Sequence, residues 1–295
     1  MSTLAGKRIV ITGSSRGLGR GFALEMAKAG ARVVINGTNA EALSETARAI
    51  RAVDGEVVSM LGSVADSALC SNLIATCVDS YGGIDVLVNN AGQVRDRTLF
   101  KMSDDDFDQV IAVHLRGTFM CSRQAALAMR EQGAGHIVNV VSSSGLAGGF
   151  GQSNYAAAKA GMMGLLYTWV MELARYGIRC NAFWPIAETD MTQVVFERVK
   201  HDASAKGRAA PTPAALGFGT PTEVAQGMIW LASDAAAKFN GQCFTFNGRK
   251  TALWSHPTEV LESFKATPWS VAELTAYYDS VAPVPAYQPR FVEKN

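Results

Sequence analysis

The feature that most constrains this chain is a repeated alternation of short β-branched runs with longer helical segments. The runs KRIVIT (7–12), RVVIN (32–36), EVVSML (56–61), IDVLV (84–88), HIVNVV (136–141), IRCNAF (178–183) and QCFTF (242–246) each read as a strand. Several are apolar without strict alternation, as strands covered on both faces should be. Helical patterns fall between them, near 17–29, 39–53, 66–80, 104–131, 152–175 and 221–236, with Asn39 and Asp66 placed as N-caps and Pro221 in a first turn. Strand then helix, repeated, gives parallel βαβ units with right-handed crossovers. The expected fold class is therefore α/β: a single doubly wound parallel sheet of about seven strands.

Two segments break the rhythm. Residues 186–220 carry MTQVVFERV and then a Gly/Ala/Pro-rich tract, and a connection of this length is usually functional. It is expected to form a lid over the substrate. Met191, Val194, Val195, Phe196 and Val199 sit at mixed helical spacing, for capping an apolar pocket or for packing on the protein's own body. Past the last strand, Trp254, Phe264, Trp269, Tyr277 and Tyr278 suggest external helices, followed by the extended tail APVPAYQPRFVEKN. The expected division is one domain over 1–250, lid included, with an extension over 251–295 packed on the same domain. A formal net charge of +1 without Lys/Arg runs points away from nucleic acid and membrane surfaces as partners. No segment approaches the about 20 apolar residues of a membrane span, and the N-terminus lacks the apolar stretch of a signal peptide. Cys70, Cys77, Cys121, Cys180 and Cys243 have no paired spacing and read as buried free thiols of a cytoplasmic protein. The four histidines make no metal-ligand pattern, so no metal is expected.

IVITGSSRGLG sets Gly13, Gly17 and Gly19 after a strand and at the start of a helix. Glycines allow positive φ and close backbone approach, and a helix N-terminus offers free N–H groups to a pyrophosphate. The turn Gly13, Ser15, Arg16, Gly17, Leu18 and Gly19 is thus the expected cofactor cradle of a Rossmann-type sheet. A carboxylate at the end of the second strand would bond the ribose 2′-OH of NAD. The sequence there offers Asn36, Gly37 and Thr38. Arg16 can meet a 2′-phosphate or remain a solvated charge. NADP(H) is favoured, with NAD(H) open.

In GQSNYAAAKAG, Tyr155 and Lys159 lie one turn apart on one helix face. With TGSSRGLG, NNAG (89–92) and Ser142 thirteen residues before Tyr155, residues 5–250 resemble the short-chain dehydrogenase/reductase family. The resemblance implies a hydride-transferring oxidoreductase that interconverts a ketone and a secondary alcohol. It makes Tyr155 the general acid/base and Ser142 the donor to the substrate oxygen. Lys159 would favour the phenolate and hold the nicotinamide ribose. It further places Asn90, Ala91 and Gly92 beside the cofactor, Ser63 and Val64 near adenine, and Pro185, Ala187, Thr189 and Thr192 near the carboxamide or diphosphate. Asn89 would tie the central sheet.

His114 stands where most members of the family have asparagine. It reads either as a core histidine satisfied by backbone or as a proton-relay residue titrating near neutrality. VHLRG, PIAETDMT and NGRKTALW are similar to the (3R)-hydroxyacyl-CoA dehydrogenase unit of peroxisomal multifunctional enzyme type 2, although Gly37 replaces that unit's aspartate. The expected substrate is a 3-oxoacyl or 3-hydroxyacyl thioester, with Arg198, Lys200, Lys206 and Arg208 either meeting CoA phosphates or forming a solvated face. Alternatives are a bulky cyclic, aromatic or steroid ketone, or a non-catalytic dinucleotide-binding protein. The outer faces of the helices at 104–131 and 152–175 are expected to pair across a twofold axis into a homodimer or homotetramer.

Overall fold

The structure, a computed structural model, describes residues 3–281. The chain divides into two compact units, the first ending at Trp254 and the second beginning at Ser255. The first is an α/β unit built in the order β1 (Arg8–Ile11), α1 (Gly17–Lys28), β2 (Arg32–Gly37), α2 (Ala40–Arg51), β3 (Val57–Leu61), α3 (Ser67–Tyr81), β4 (Val86–Asn89), α4 (Asp104–Ile111), α5 (Gly117–Gln132), β5 (Gly135–Val140), α6 (Ser144–Ala147), α7 (Ser153–Leu173), β6 (Ile178–Pro185), α8 (Gln193–Ala205), α9 (Pro221–Ala232), β7 (Cys243–Phe246) and β8 (Thr251–Leu253). The sheet order is β3-β2-β1-β4-β5-β6-β7-β8. All seven expected strands are present and parallel. β8 adds an eighth, antiparallel to β7, which carries the sheet past residue 250.

Each central strand is apolar because each of its faces is covered. Ile9, Ile11, Val33 and Ile35 pack with Phe22 and Met26 of α1, Ile50 of α2 and Met228 of α9. Their neighbours Val10 and Val34 face the other way, with Leu73 of α3, Cys121 of α5 and Leu166 of α7. Asn39 and Asp66 cap α2 and α3 through bonds from Ala42 N and Ala68 N, and Thr220 forms a capping box ahead of Pro221.

The segment 104–131 differs from the single helix its periodicity predicts. α4 and α5 are joined by a π turn over Ala112–Arg116, where one extra residue swings the buried His114 inward. In the lid, α8 realises the helical spacing. Phe196 packs edge-on to Phe218 at 4.9 Å, within the lid itself, while Met191 and Val195 remain exposed. Val194's side chain lies outside the described residues. The lid closes at its neck: Glu188 N donates to Gly219 O at 2.8 Å, Gly219 N to Ile186 O at 3.1 Å, and Ile186 N to Phe246 O at 2.8 Å. In the second unit, α10 (Val271–Ser280) starts at a Ser270–Glu273 capping box. The expected tail from residue 282 falls outside the described residues.

Asn89 ties the centre of the sheet, as expected. Its Nδ2 donates to Ser122 Oγ at 2.8 Å and to Asn139 Oδ1 at 3.0 Å, all buried. Replacing it leaves both acceptors unpaired in an apolar interior. Asn89→Ala should lower unfolding free energy by about 2–3 kcal/mol in a denaturant titration. A loss under about 0.5 kcal/mol would show that the network is dispensable.

Candidate active site

The cofactor turn is held by two asparagines. Asn90 Nδ2 donates to Thr12 O at 3.0 Å and Gly13 O at 2.9 Å, while Thr12 Oγ1 accepts from Asn90 N and Ala91 N. On the other side, Asn36 Oδ1 accepts from Gly13 N at 3.4 Å and its Nδ2 donates to Met60 O and Gly62 O. Both amides are occupied with backbone, so they shape the cradle. Gly13 has φ +63°, and a Cβ there would stand 2.6 Å from Ala91 Cα. Glycine is required twice over, by conformation and by contact. No side chain caps α1, which leaves its first N–H groups, around Gly17, Leu18 and Gly19, for an anionic ligand. These residues fit a dinucleotide pyrophosphate. Arg16 and Thr38 are exposed beside the turn, Ser15 is half-buried and Gly37 is buried. Val64 is buried and Ser63 Oγ accepts from Ala65 N, below the same strand ends.

Across the crevice, β5 delivers Ser142 and α7 delivers Tyr155 and Lys159. α6 lies close on α7: a Cβ on Gly145 would come within 2.6 Å of the Lys159 backbone. The start of α7 is fixed by Asn154, which the sequence reading did not single out. It is fully buried, with Nδ2 donating to Arg95 O at 3.0 Å and Asp106 O at 2.9 Å, and Oδ1 accepting from Tyr155 N at 2.8 Å. A polar residue in a first helical turn was the available signal. Thr189 stands over the cofactor turn, its Cγ2 3.8 Å from where a Gly17 Cβ would be. Thr192 Oγ1 accepts from Thr189 N at 2.9 Å, so this hydroxyl helps to fold the lid's first turn, next to the buried Ala187 and the end of β6 at Pro185.

The electrostatics differ from the expected tuning. Lys159 Nζ donates to Val140 O at 2.6 Å and stands 5.6 Å from the centre of the Tyr155 ring. Burial pushes Lys159 down to about 7. Burial pushes Tyr155 up to about 12, with Asp96 adding to the rise and a hydrogen bond with Ser142 opposing it. Burial thus raises the phenol and lowers the ammonium together, holding both toward their uncharged forms. His114 meets Tyr155 edge to face at 5.1 Å. Its Nε2 lies 2.9 Å from Gln93 N and 2.8 Å from Gln93 O, as a backbone-satisfied core histidine should, while its buried Nδ1 bonds to no protein group. Burial, reinforced by the charge of Lys159, takes His114 down to about 3. The imidazole is therefore held in its neutral form, with Nδ1 left unbonded to protein.

Ser142, Tyr155, Lys159 and Thr189 converge with the glycine turn at the carboxyl ends of β1, β4, β5 and β6, where the strand order reverses. The short chain dehydrogenase family pattern matches residues 7–200. Hydroxyacyl-CoA dehydrogenase ChsB1 of Mycobacterium tuberculosis is 40% identical over 92% of this chain and 87% of its own length. Peroxisomal multifunctional enzyme type 2 of Drosophila melanogaster is 41% identical over 64% of this chain and 32% of that protein. A solved short chain dehydrogenase from Mycobacterium avium superposes with a TM-score of 0.82 at 34% identity, covering 97% of this chain and 99% of that one. The chain belongs to the short-chain dehydrogenase/reductase family. It is an oxidoreductase that interconverts a ketone and a secondary alcohol with a nicotinamide dinucleotide, and the likeness to type 2 multifunctional enzymes is met as well.

The buried Lys159 carries a stability signature. Between about 7 and its ordinary 10.5 the unfolded chain holds a proton that the folded chain sheds, so this group makes stability rise with pH across that window. Below about 7 its burial penalty is at full size. In Lys159→Met that penalty is gone. The variant's melting temperature, relative to the parent, should be highest below pH 7 and converge toward the parent's as pH approaches 10. Parallel melting curves at every pH would show that the lysine is not buried as described.

Proposed function

We propose that this chain is an NADP(H)-dependent oxidoreductase of 3-oxoacyl and 3-hydroxyacyl thioesters of coenzyme A, with Tyr155 as the proton carrier. The observation that carries this reading is the meeting of Ser142, Tyr155 and Lys159 beside the uncapped glycine turn. When bound, the dinucleotide would supply or accept the hydride. Tyr155 keeps its proton at neutral pH and gives it to the oxygen of a ketone being reduced. Ser142 Oγ–H holds that oxygen in line. In the oxidising direction Tyr155 first gives its proton to solvent and the phenolate then takes the proton of the alcohol, with protonated Lys159 nearby to favour the phenolate.

Five features support the finer assignments. No carboxylate stands at Asn36, Gly37 or Thr38, and the exposed Arg16 and Thr38 suit a 2′-phosphate. For the thioester, ChsB1 is named as a hydroxyacyl-CoA dehydrogenase. The lid offers exposed Arg198, Lys200, Lys206 and Arg208 for phosphates, with Met191 and Val195 for an apolar acyl part. The outer faces of α5 and α7 expose Phe119, Leu127 and Met171, which fits pairing of these helices across a twofold axis in a homodimer or homotetramer. Five buried free thiols suit a reducing cytoplasm.

Tyr155→Phe should lower kcat by about 100-fold or more while leaving the dissociation constant for NADPH close to that of the parent. Absorbance of NADPH against a panel of 3-oxoacyl-CoA thioesters and free ring ketones reads the substrate class. Faster turnover of the ring ketones would replace the thioester assignment, and an active Phe variant would move the proton carrier elsewhere.

A further inference from the structure

Gly37 closes β2 with a φ outside the left-handed region, so its backbone conformation does not call for glycine. What bars a side chain there is Ser15. A Cβ on Gly37 would stand 2.7 Å from Ser15 Cβ and 2.7 Å from Ser15 Oγ. Turning the hydroxyl away relieves the second contact only, because Cβ is fixed by the backbone that carries it. That backbone is held on both sides. Ser14 N donates to Asn36 O at 2.7 Å, and Asn36 N donates to Ser14 Oγ at 2.9 Å. Gly62 N donates to Gly37 O at 2.9 Å, and Thr46 Oγ1 to Ser15 O at 3.1 Å. Neither the turn nor the strand end can retreat without breaking several buried hydrogen bonds.

We propose that Ser15 and Gly37 form a steric lock that sets cofactor choice. Ser15 keeps an acidic side chain out of the end of β2, which leaves the volume beside Arg16 and Thr38 to a 2′-phosphate. An acidic residue at that point would bond a ribose 2′-OH and repel the phosphate. Gly37 can therefore gain a side chain only if Ser15 loses its own. Ser15 is a specificity-determining residue even if its hydroxyl never touches the ligand, since its β-carbon alone excludes the carboxylate. The inference rests on the NADP(H) reading above and extends it to the residue that enforces it.

The test compares Gly37→Asp, Ser15→Gly and the double variant by melting temperature and by fluorescence titration with NADPH and NADH. Gly37→Asp alone should melt lower and bind both dinucleotides about tenfold more weakly, with no preference for NADH. Ser15→Gly alone should keep the parent's preference. The double variant should recover the melting temperature and prefer NADH, the ratio of the two dissociation constants moving about 100-fold from the parent's. A Gly37→Asp protein that melts like the parent and selects NADH by itself would overturn the lock. So would a double variant no more stable than the single. A parent that itself prefers NADH would overturn the cofactor assignment of the proposed function, while recovery of melting temperature in the double variant would still decide the lock.

Discussion

Everything functional in this molecule depends on how closely the turn after β1 approaches its two flanking strands. The turn lies against Ala91 on the β4 side, where a single methylene on Gly13 would collide with the main chain. On the β2 side it is bonded through Asn36 and Ser14. Two side-chain amides, Asn36 and Asn90, supply hydrogen bonds that strand pairing cannot, because the strands end here and their carbonyls would otherwise stay unmet. The floor of the crevice is backbone, and backbone N–H groups at a helix start are what an anionic dinucleotide binds.

The candidate catalytic groups sit beyond β4, at the end of β5 and on α7 of the same unit. α7 is anchored by the fully buried Asn154, which joins the helix start to the 95–106 segment. The three titratable groups at this point are all pushed toward their uncharged forms by burial: phenol up, ammonium down, imidazole down. Burial thus weakens the charge of all three groups, and Lys159, lowered to about 7, is the one that still changes protonation near neutrality. The Lys159–Val140 bond fixes the ammonium 5.6 Å from the centre of the Tyr155 ring.

The architecture and the Tyr155–Lys159 pair were legible in the sequence because they have local signatures, whereas Ser142 came from the family resemblance. Apolar runs covered on both faces, the spacing of Tyr155 and Lys159, and caps at Asn39 and Asp66 each follow from short-range rules. What could not be read depends on contacts between distant segments. The π turn at 112–116 has no period of its own, and only the packing of His114 against Tyr155 and Gly92 shows why an extra residue fits. That the amides of Asn36 and Asn90 bond the backbone of the turn depends on segments distant in sequence. The lysine's partner, Val140 O, is a carbonyl nineteen residues away that no side-chain pattern marks. β8 is three residues long and pairs by register alone.

The pinched neck of the lid, where Ile186, Glu188 and Gly219 bond across to one another and to Phe246, has an evolutionary consequence. A strand end that leaves and rejoins the sheet at one clasp ties the segment between to the scaffold at few points, among them Thr189 beside Gly17 and Gly217 O, which accepts from Asn247 Nδ2. Length and composition of that excursion can drift with little thermodynamic cost to the scaffold, since a longer loop adds closure entropy only slowly. Substrate range can therefore diversify by exchange of one cassette, while the machinery of hydride and proton transfer stays under separate constraint.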